Sequence, residues 1–400
     1  MEKAKKYFTF FCLLTVLIIS GCSEDNPLIP PAEDHSPMWP MFGYNARHSF
    51  NRYCINVKIP PVTTGAINWI DTINSTTSFH DASENCIDAL GNIYHLSNGS
   101  SKRSIIKFHP DGSIIWRLDT IYSDALCGFA LSADEKKVYY QDYIDFGCID
   151  SSGKFIWRIP NGMSASIPVV GKDGTIYTAI QKKLTAFTPD GKMLWQVNTN
   201  SIFCYPAIDK EGNLYFYNNN EENKYEIVKY NSSGNLIWKY SSFDLEGMNI
   251  YLSPVIDGYN NIYFIAHDSL ISIDKTGKYH WGKVCGRIST PAITSNNMII
   301  TDSMNTSIIA YDMSGKTIWS RNIPAWLIEH SILLDEQDNA YFLYEANSAN
   351  YYACCIDKLG NIKWTTLLPS YWWGFPGPTL SPKGYLFGTP KRPFLVFSLK

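Results

Sequence analysis

A glycine followed four residues later by a tryptophan occurs eight times along this chain: Gly65/Trp69, Gly112/Trp116, Gly153/Trp157, Gly191/Trp195, Gly234/Trp238, Gly277/Trp281, Gly315/Trp319 and Gly360/Trp364. Successive tryptophans of the series are 47, 41, 38, 43, 43, 38 and 45 residues apart. A period near forty that runs through the whole chain means one small structural unit used again and again. A unit of that length cannot bury its own apolar face, so its stability comes from stacking on its neighbours. The period therefore overrides the two or three ordinary domains that 400 residues would otherwise suggest.

Residues 166–198 show what one unit contains. Pro168-Val169-Val170 is a short β-type run and Lys172-Asp173-Gly174 a turn. Thr175 to Ala179 alternates as a second strand, and Leu184 to Phe187 forms a third. Thr188-Pro189-Asp190-Gly191 turns into a fourth strand, Lys192 to Val197. Asp-Gly between alternating segments is a strong hairpin signal. Each unit is thus a four-stranded antiparallel meander, A to D. A proline six residues before the first turn recurs at Pro168, Pro206, Pro254, Pro291 and Pro378. Proline donates no backbone hydrogen bond and belongs at a strand start or an edge. Strand A, the innermost of a radial repeat, offers such a place.

Radially repeated four-stranded units make a β-propeller. Seven units run complete from strand A to a D-strand tryptophan, Trp116 through Trp364. Trp69 sits on a D strand with no A to C before it, and residues 375–400 give A to C with no D after them. The two fragments complement each other. The expectation is an eight-bladed propeller closed by pairing the chain's ends, with seven blades as the alternative if the first segment lies outside the ring. The eight tryptophans are read as blade-docking residues, each buried against the next blade, where losing one costs roughly 3–5 kcal/mol.

The N-terminus has a different character. Lys3, Lys5 and Lys6 precede an apolar run from Tyr7 to Ile19, the layout of a secretory signal. Ile19-Ser20-Gly21-Cys22 then resembles a bacterial lipobox, which implies that Cys22 carries lipid and anchors the protein to a membrane surface. The proline- and acid-rich stretch 22–38 reads as a tether. The organisation expected is a signal peptide over 1–21, a lipidated tether over 22–38 and a single propeller over 39–400. Ser23 in place of aspartate favours the outer membrane, with either its periplasmic or its cell-surface side open. A net charge of −3 and the lack of a basic run give no footing for nucleic acid. A closed ring hides its own edges, so a monomer is expected.

Tyr311-Asp312-Met313-Ser314-Gly315-Lys316-Thr317-Ile318-Trp319 resembles the repeat of pyrroloquinoline-quinone-like, or quinoprotein-type, propellers. Phe187 to Trp195 and Ile273 to Trp281 match it as well, and Trp39-Pro40-Met41-Phe42-Gly43 is similar to the segment that opens such domains. The resemblance covers residues 39–400. It implies one of two kinds of protein: a quinone- and calcium-dependent dehydrogenase, or a non-catalytic envelope lipoprotein of the type found in the Bam outer-membrane assembly complex. The lipobox, tether and repeat count are those of the second kind.

The residues offer little for the first kind. Adjacent cysteines over the cofactor are a quinoprotein feature, and Cys354-Cys355 is the one such pair here. Cys148, however, holds the position of Cys355 in an earlier unit, which reads as a small core filler. The histidines form neither HxxxH nor HExxH, and no CxxC occurs. Glu329-His330 is a lone neighbour pair. No catalytic, cofactor-binding or metal-ligating residue can be assigned, and neither the quinone nor calcium is expected. Tyr371, Trp372, Trp373 and Phe375 stand between the seventh and eighth units as possible partner-binding aromatics, with Trp326 a weaker case. The expected function is a non-enzymatic, membrane-tethered scaffold that binds a protein or glycan, possible roles being outer-membrane protein assembly and, as alternatives, a small quinoprotein or sugar-active enzyme or a cell-surface sensor or adhesin.

Overall fold

The computed structural model describes residues 58–72, 85–98, 103–120, 128–142, 144–160, 166–199, 205–219, 225–241, 253–266, 268–285, 289–303, 307–324, 327–346, 350–368, 378–388 and 395–399. All lie in the compact unit His35–Lys400. The leader, Cys22 and the tether lie outside the described residues.

Every described element is a strand. The first is β1 (Ile67–Thr72). The first complete sheet is β2 (Cys86–Ile87), β3 (Ile93–Asn98), β4 (Arg103–Phe108) and β5 (Ile114–Thr120). The second is β6 (Gly128–Leu131), β7 (Lys137–Gln141), β8 (Asp145–Asp150) and β9 (Phe155–Pro160). The third is β10 (Val169–Val170), β11 (Ile176–Ile180), β12 (Lys183–Phe187) and β13 (Met193–Asn198). The fourth is β14 (Ala207–Ile208), β15 (Leu214–Asn219), β16 (Tyr225–Tyr230) and β17 (Leu236–Tyr240). The fifth is β18 (Val255–Ile256), β19 (Ile262–Ala266), β20 (Ser269–Ile273) and β21 (Tyr279–Val284). A two-residue strand, β22 (Ser289–Thr290), precedes the sixth: β23 (Ala292–Ile293), β24 (Ile299–Ser303), β25 (Ser307–Tyr311) and β26 (Thr317–Asn322). There follow β27 (Leu327–Leu334), β28 (Ala340–Ala346), β29 (Asn350–Ile356) and β30 (Ile362–Leu367), and finally β31 (Thr379–Leu380), β32 (Leu386–Gly388) and β33 (Leu395–Leu399).

The fold is an all-β propeller with seven four-stranded antiparallel blades. One of them joins the ends of the chain: β1 pairs antiparallel with β33 in the order β1-β33-β32-β31, Ile70 facing Phe397. A further sheet has five strands, because β22 crosses from the start of the sixth blade to pair in parallel with β27 at Ser289/His330 and Thr290/Ser331. Six of the inner A strands are only two residues long, among them those that follow Pro168, Pro206, Pro254, Pro291 and Pro378. Alternation puts both faces of the middle strands into apolar contacts between adjacent sheets. Phe146 of β8, for example, lies 5.1 Å from Trp157 of its own blade and 5.1 Å from Phe187 of the next.

The repeated tryptophans join successive sheets. The indole Nε1 of Trp116, Trp157, Trp195, Trp238, Trp281 and Trp319 donates to the carbonyl of Ser151, Pro189, Ser232, Lys275, Met313 and Lys358, each in the C–D turn of the following sheet, at 2.9–3.1 Å. Trp364 donates to Val62 O at 2.9 Å, ahead of β1. The ring faces the turn glycine of that next sheet. A Cβ on Gly234 would stand 2.7 Å from Trp195 Cδ2, and Gly234 has φ +81°. The sequence has these indoles buried against the next blade; of the seven described, Trp364 is buried at 9% exposure and the other six are partly exposed, strand D being the outer edge of each sheet.

Gly234→Ala is expected to cost about 2–3 kcal/mol, part from left-handed backbone strain and part from displacing the indole. Gly212→Ala provides the control. Its φ is +85°, but the added Cβ meets nothing closer than 3.7 Å. It should cost only the backbone part, about 1 kcal/mol. Equal shifts in thermal midpoint for the two variants would remove the steric part of this account.

Candidate functional site

Buried polar networks recur at the A–B turns. Asp209 Oδ1 accepts from the Asn213 N–H at 2.8 Å. Its Oδ2 accepts from Asn213 Nδ2 at 2.8 Å and from the Tyr215 hydroxyl at 2.9 Å. Asp257, Asn261 and Tyr263 repeat this arrangement, and so do Asp335, Asn339 and Tyr341. In the first blade Asp88 and Asn92 do the same, while Tyr94 accepts instead from Lys107 Nζ at 2.8 Å, whose ammonium lies 3.1 Å from Asp88. Burial first, and the aspartate charge second, push the Tyr215 and Tyr263 phenols far above their ordinary value. Burial also lowers the pKa of Lys229, against the pull of Asp209 3.8 Å away. Four near-copies of one sealed network belong to the fold. Its signal, Asp-x3-Asn-x-Tyr at residues 88, 209, 257 and 335, was present in the sequence but not read there.

Neighbouring A–B turns are also linked to one another. Glu135, Asn297 and Asp338 occupy the left-handed region at φ 56°, 62° and 62°. Their side chains accept from the backbone N–H of Ala89, Gly258 and Ser295 in the preceding sheet, at 2.6, 2.9 and 2.8 Å.

The outer rim carries the exposed apolar surface. In every D strand the register shifts just before the tryptophan: Lys229 pairs with Trp238 and Tyr230 with Leu236, leaving Ile237 as an extra residue. The same one-residue bulge falls at Ile115, Ile156, Leu194, His280, Ile318 and Lys363. A bulge re-aims the side chain that follows it and blunts an exposed edge. Here it turns the indole toward the next blade and leaves two side chains outward. In four consecutive blades both are apolar: Ile114-Ile115, Phe155-Ile156, Met193-Leu194 and Leu236-Ile237.

Tyr371, Trp372, Trp373, Phe375 and Trp326 lie outside the described residues, as do the side chains of Trp69, Glu329 and His330. Cys354 and Cys355 are buried free thiols, both pushed up to about 12 by burial. As consecutive residues of β29 they face opposite sides of the sheet. Thr365 Oγ1 is 3.7 Å from Cys354 Sγ, while Cys355 lies across from Tyr341 and Trp364. They do not fit a disulfide clasp over a quinone. Among the described residues no cluster of His, Cys, Asp or Glu could hold a metal ion.

A ring of four-stranded blades fastened by Gly-x3-Trp repeats is a propeller of the pyrroloquinoline-quinone-like class. Within that class the chain belongs to the family described as outer membrane protein assembly factor BamB, whose family model matches residues 101–321. Its structure is similar to that of BamB from Moraxella catarrhalis, at 11% identity and a TM-score of 0.58 over 84% of this chain and 97% of that one. It is also similar to a quinohemoprotein alcohol dehydrogenase from Comamonas testosteroni (14%, 0.51, 89% and 71%) and to a streptogramin B lyase (15%, 0.51, 83% and 97%). At these identities the likeness is one of fold alone. No curated protein sequence matches the chain.

Proposed function

We propose that the chain is a non-enzymatic propeller scaffold of the bacterial envelope, tethered through lipid on Cys22 at the outer membrane, that binds a protein partner in outer-membrane protein assembly. Membership of the BamB family carries this reading. In this reading the five-stranded sheet is the eighth blade, with β22 a stub lent by its neighbour, and the eight tryptophans are the docking residues of a monomeric ring. The partner meets the B–C and D–A connections, which leave a meander at the end opposite its A–B and C–D turns. The aromatics Tyr371, Trp372, Trp373 and Phe375 belong to one of these connections.

Cross-linked, detergent-solubilised envelopes should yield the β-barrel assembly machinery with the wild-type chain. Replacing Trp372 and Trp373 together by alanine should cut that yield at least tenfold at unchanged thermal midpoint. Cys22→Ala should move the protein to the soluble fraction. Recovery of no assembly component with the wild type would end the assembly reading, and membrane retention of Cys22→Ala would end the lipoprotein one.

A further inference from the structure

Closing the ring leaves strand D of each sheet as an outer edge, with a row of backbone N–H and C=O groups facing outward. Natural edges are guarded by charge, proline or bulges. β5, β9 and β17 carry Arg117, Arg158 and Lys239 in the position after the tryptophan, and β9 also ends on Pro160. β1, β21, β26 and β30 carry Asp71, Lys283, Arg321 and Lys363. Among these outer strands β13 alone, Met193-Leu194-Trp195-Gln196-Val197-Asn198, holds neither charge nor proline. Gln196 stands where the blades on either side have arginine or lysine. The bulge at Leu194 blunts only the start of the strand, and Gln196 and Asn198 beyond it are exposed.

β13 also lies midway along an apolar part of the rim. Trp157 packs on Gly191 of the third blade and Trp195 on Gly234 of the fourth, so Phe155-Ile156, Met193-Leu194 and Leu236-Ile237 follow one another round three consecutive blades. Met193 and Leu194, at 58% and 54%, are the most exposed of the six. Together the six leave roughly 500 Å² of apolar surface in water, toward the upper end of what a monomer keeps. The charges nearby are mixed and lie off the strand: Asp190 and Lys192 in the turn before it, Lys182 and Lys183 in the hairpin at its far end. Asp190 is 3.6 Å from Lys137. On the flanking blades Arg158 is paired with Asp145, and Lys239 lies 3.7 Å from Glu226.

We propose that β13 pairs with β13 of a second copy of this chain, antiparallel about a two-fold axis, joining the two third blades into one continuous sheet. A two-fold sets an unguarded edge against the same unguarded edge, so no charged side chain of the strand enters the contact. Any other outer strand of the chain would bring one in and desolvate it. The contact is isologous and stops at two copies, whereas pairing β13 with a different strand would run on into a filament. Two copies bring together roughly 1,000 Å² of apolar rim, the lower bound of a specific interface. The dimer is therefore weak and forms where the chain is concentrated. Each ring is still closed by its own chain, and the pairing does not depend on the identity of an assembly partner.

The test is sedimentation of the full-length protein in non-ionic detergent micelles, from low to high micromolar concentration. The wild type should pass from one chain per particle to two. Gln196→Lys installs the kind of cation that the blades on either side carry at this position, and should weaken association at least tenfold at unchanged thermal midpoint. Gln196→Thr, which adds no charge, should keep the association. So should Ser320→Lys, which places the same charge at the matching position of β26. A wild type that stays single throughout, particles that grow past two chains, or a pair that survives Gln196→Lys, as chains merely sharing a micelle would, each overturns the proposal. A chain that stays single but cross-links from Gln196→Cys to another envelope protein would overturn it too, and would give the edge to that protein.

Discussion

Trp364→Ala is expected to lower the free energy of unfolding by about 4–5 kcal/mol, against about 2 kcal/mol for Trp195→Ala, both read from urea midpoints at constant slope. The two residues hold the same place in their repeats, so the difference lies in their surroundings. Trp195 is partly exposed and joins sheets that are consecutive in the chain. Trp364 is buried, stacks tilted on Tyr341 at 6.0 Å, and holds Val62, a residue 302 positions away. Its removal leaves the buried Val62 carbonyl without its donor, which adds to the cavity term. It also releases residues 62–66, which feed β1 into the closing blade, a contact whose loop-closure entropy is among the largest in the molecule. Trp364→Phe should fall between the two, keeping ring volume and losing the hydrogen bond. Equal losses at positions 195 and 364 would show that the seam has no special weight.

How much of this was legible in the sequence follows from which interactions are local. The Gly-x3-Trp period, the Asp-Gly turns and the leftover D strand at Trp69 are short-range patterns, and they sufficed for blades, strand order and the pairing of β1 with β33. The bulge at Ile237 was hidden, because a one-residue register shift depends on which residues of β16 and β17 face each other. The wetness of Trp195 was hidden for a related reason. Its residue type argues for burial, and only its place on an outer edge strand decides otherwise. The β22–β27 pairing and the reach of Glu135 and Asp338 into the preceding turns are contacts between units, which a repeat read one unit at a time does not reveal. The candidate partner aromatics at 371–375 were legible only as composition, since their role depends on what a loop meets.

Acid should weaken the fold through His95, and the sign follows from its burial. The imidazole is 7% exposed in β3, its Nδ1 2.9 Å from Asn85 Oδ1 and its ring 6.4 Å from Phe108. Desolvation lowers its pKa from 6.5 to about 4. The unfolded chain therefore takes up a proton as pH falls below about 6.5, while the folded chain resists until about 4. Stability tied to this group is fully present above the unfolded value, declines through that window and is flat below it. Over the whole window the loss is about 3 kcal/mol, and most of it is already gone at pH 4.5. Phe108 packs with Ile93, Ile106 and Phe387 where the first blade meets the closing one, so the weakened contact is the closing blade's other junction, across that blade from the one Trp364 holds. His95→Gln keeps a polar group in reach of Asn85 and does not titrate. Unfolding free energies from urea titrations at pH 7.0 and 4.5 should draw together by roughly 2–3 kcal/mol in that variant relative to wild type. Carboxylate contributions, common to both chains, cancel in the comparison. A variant whose midpoints fall with acid in parallel with wild type would mean that the imidazole is already solvated in the folded ring.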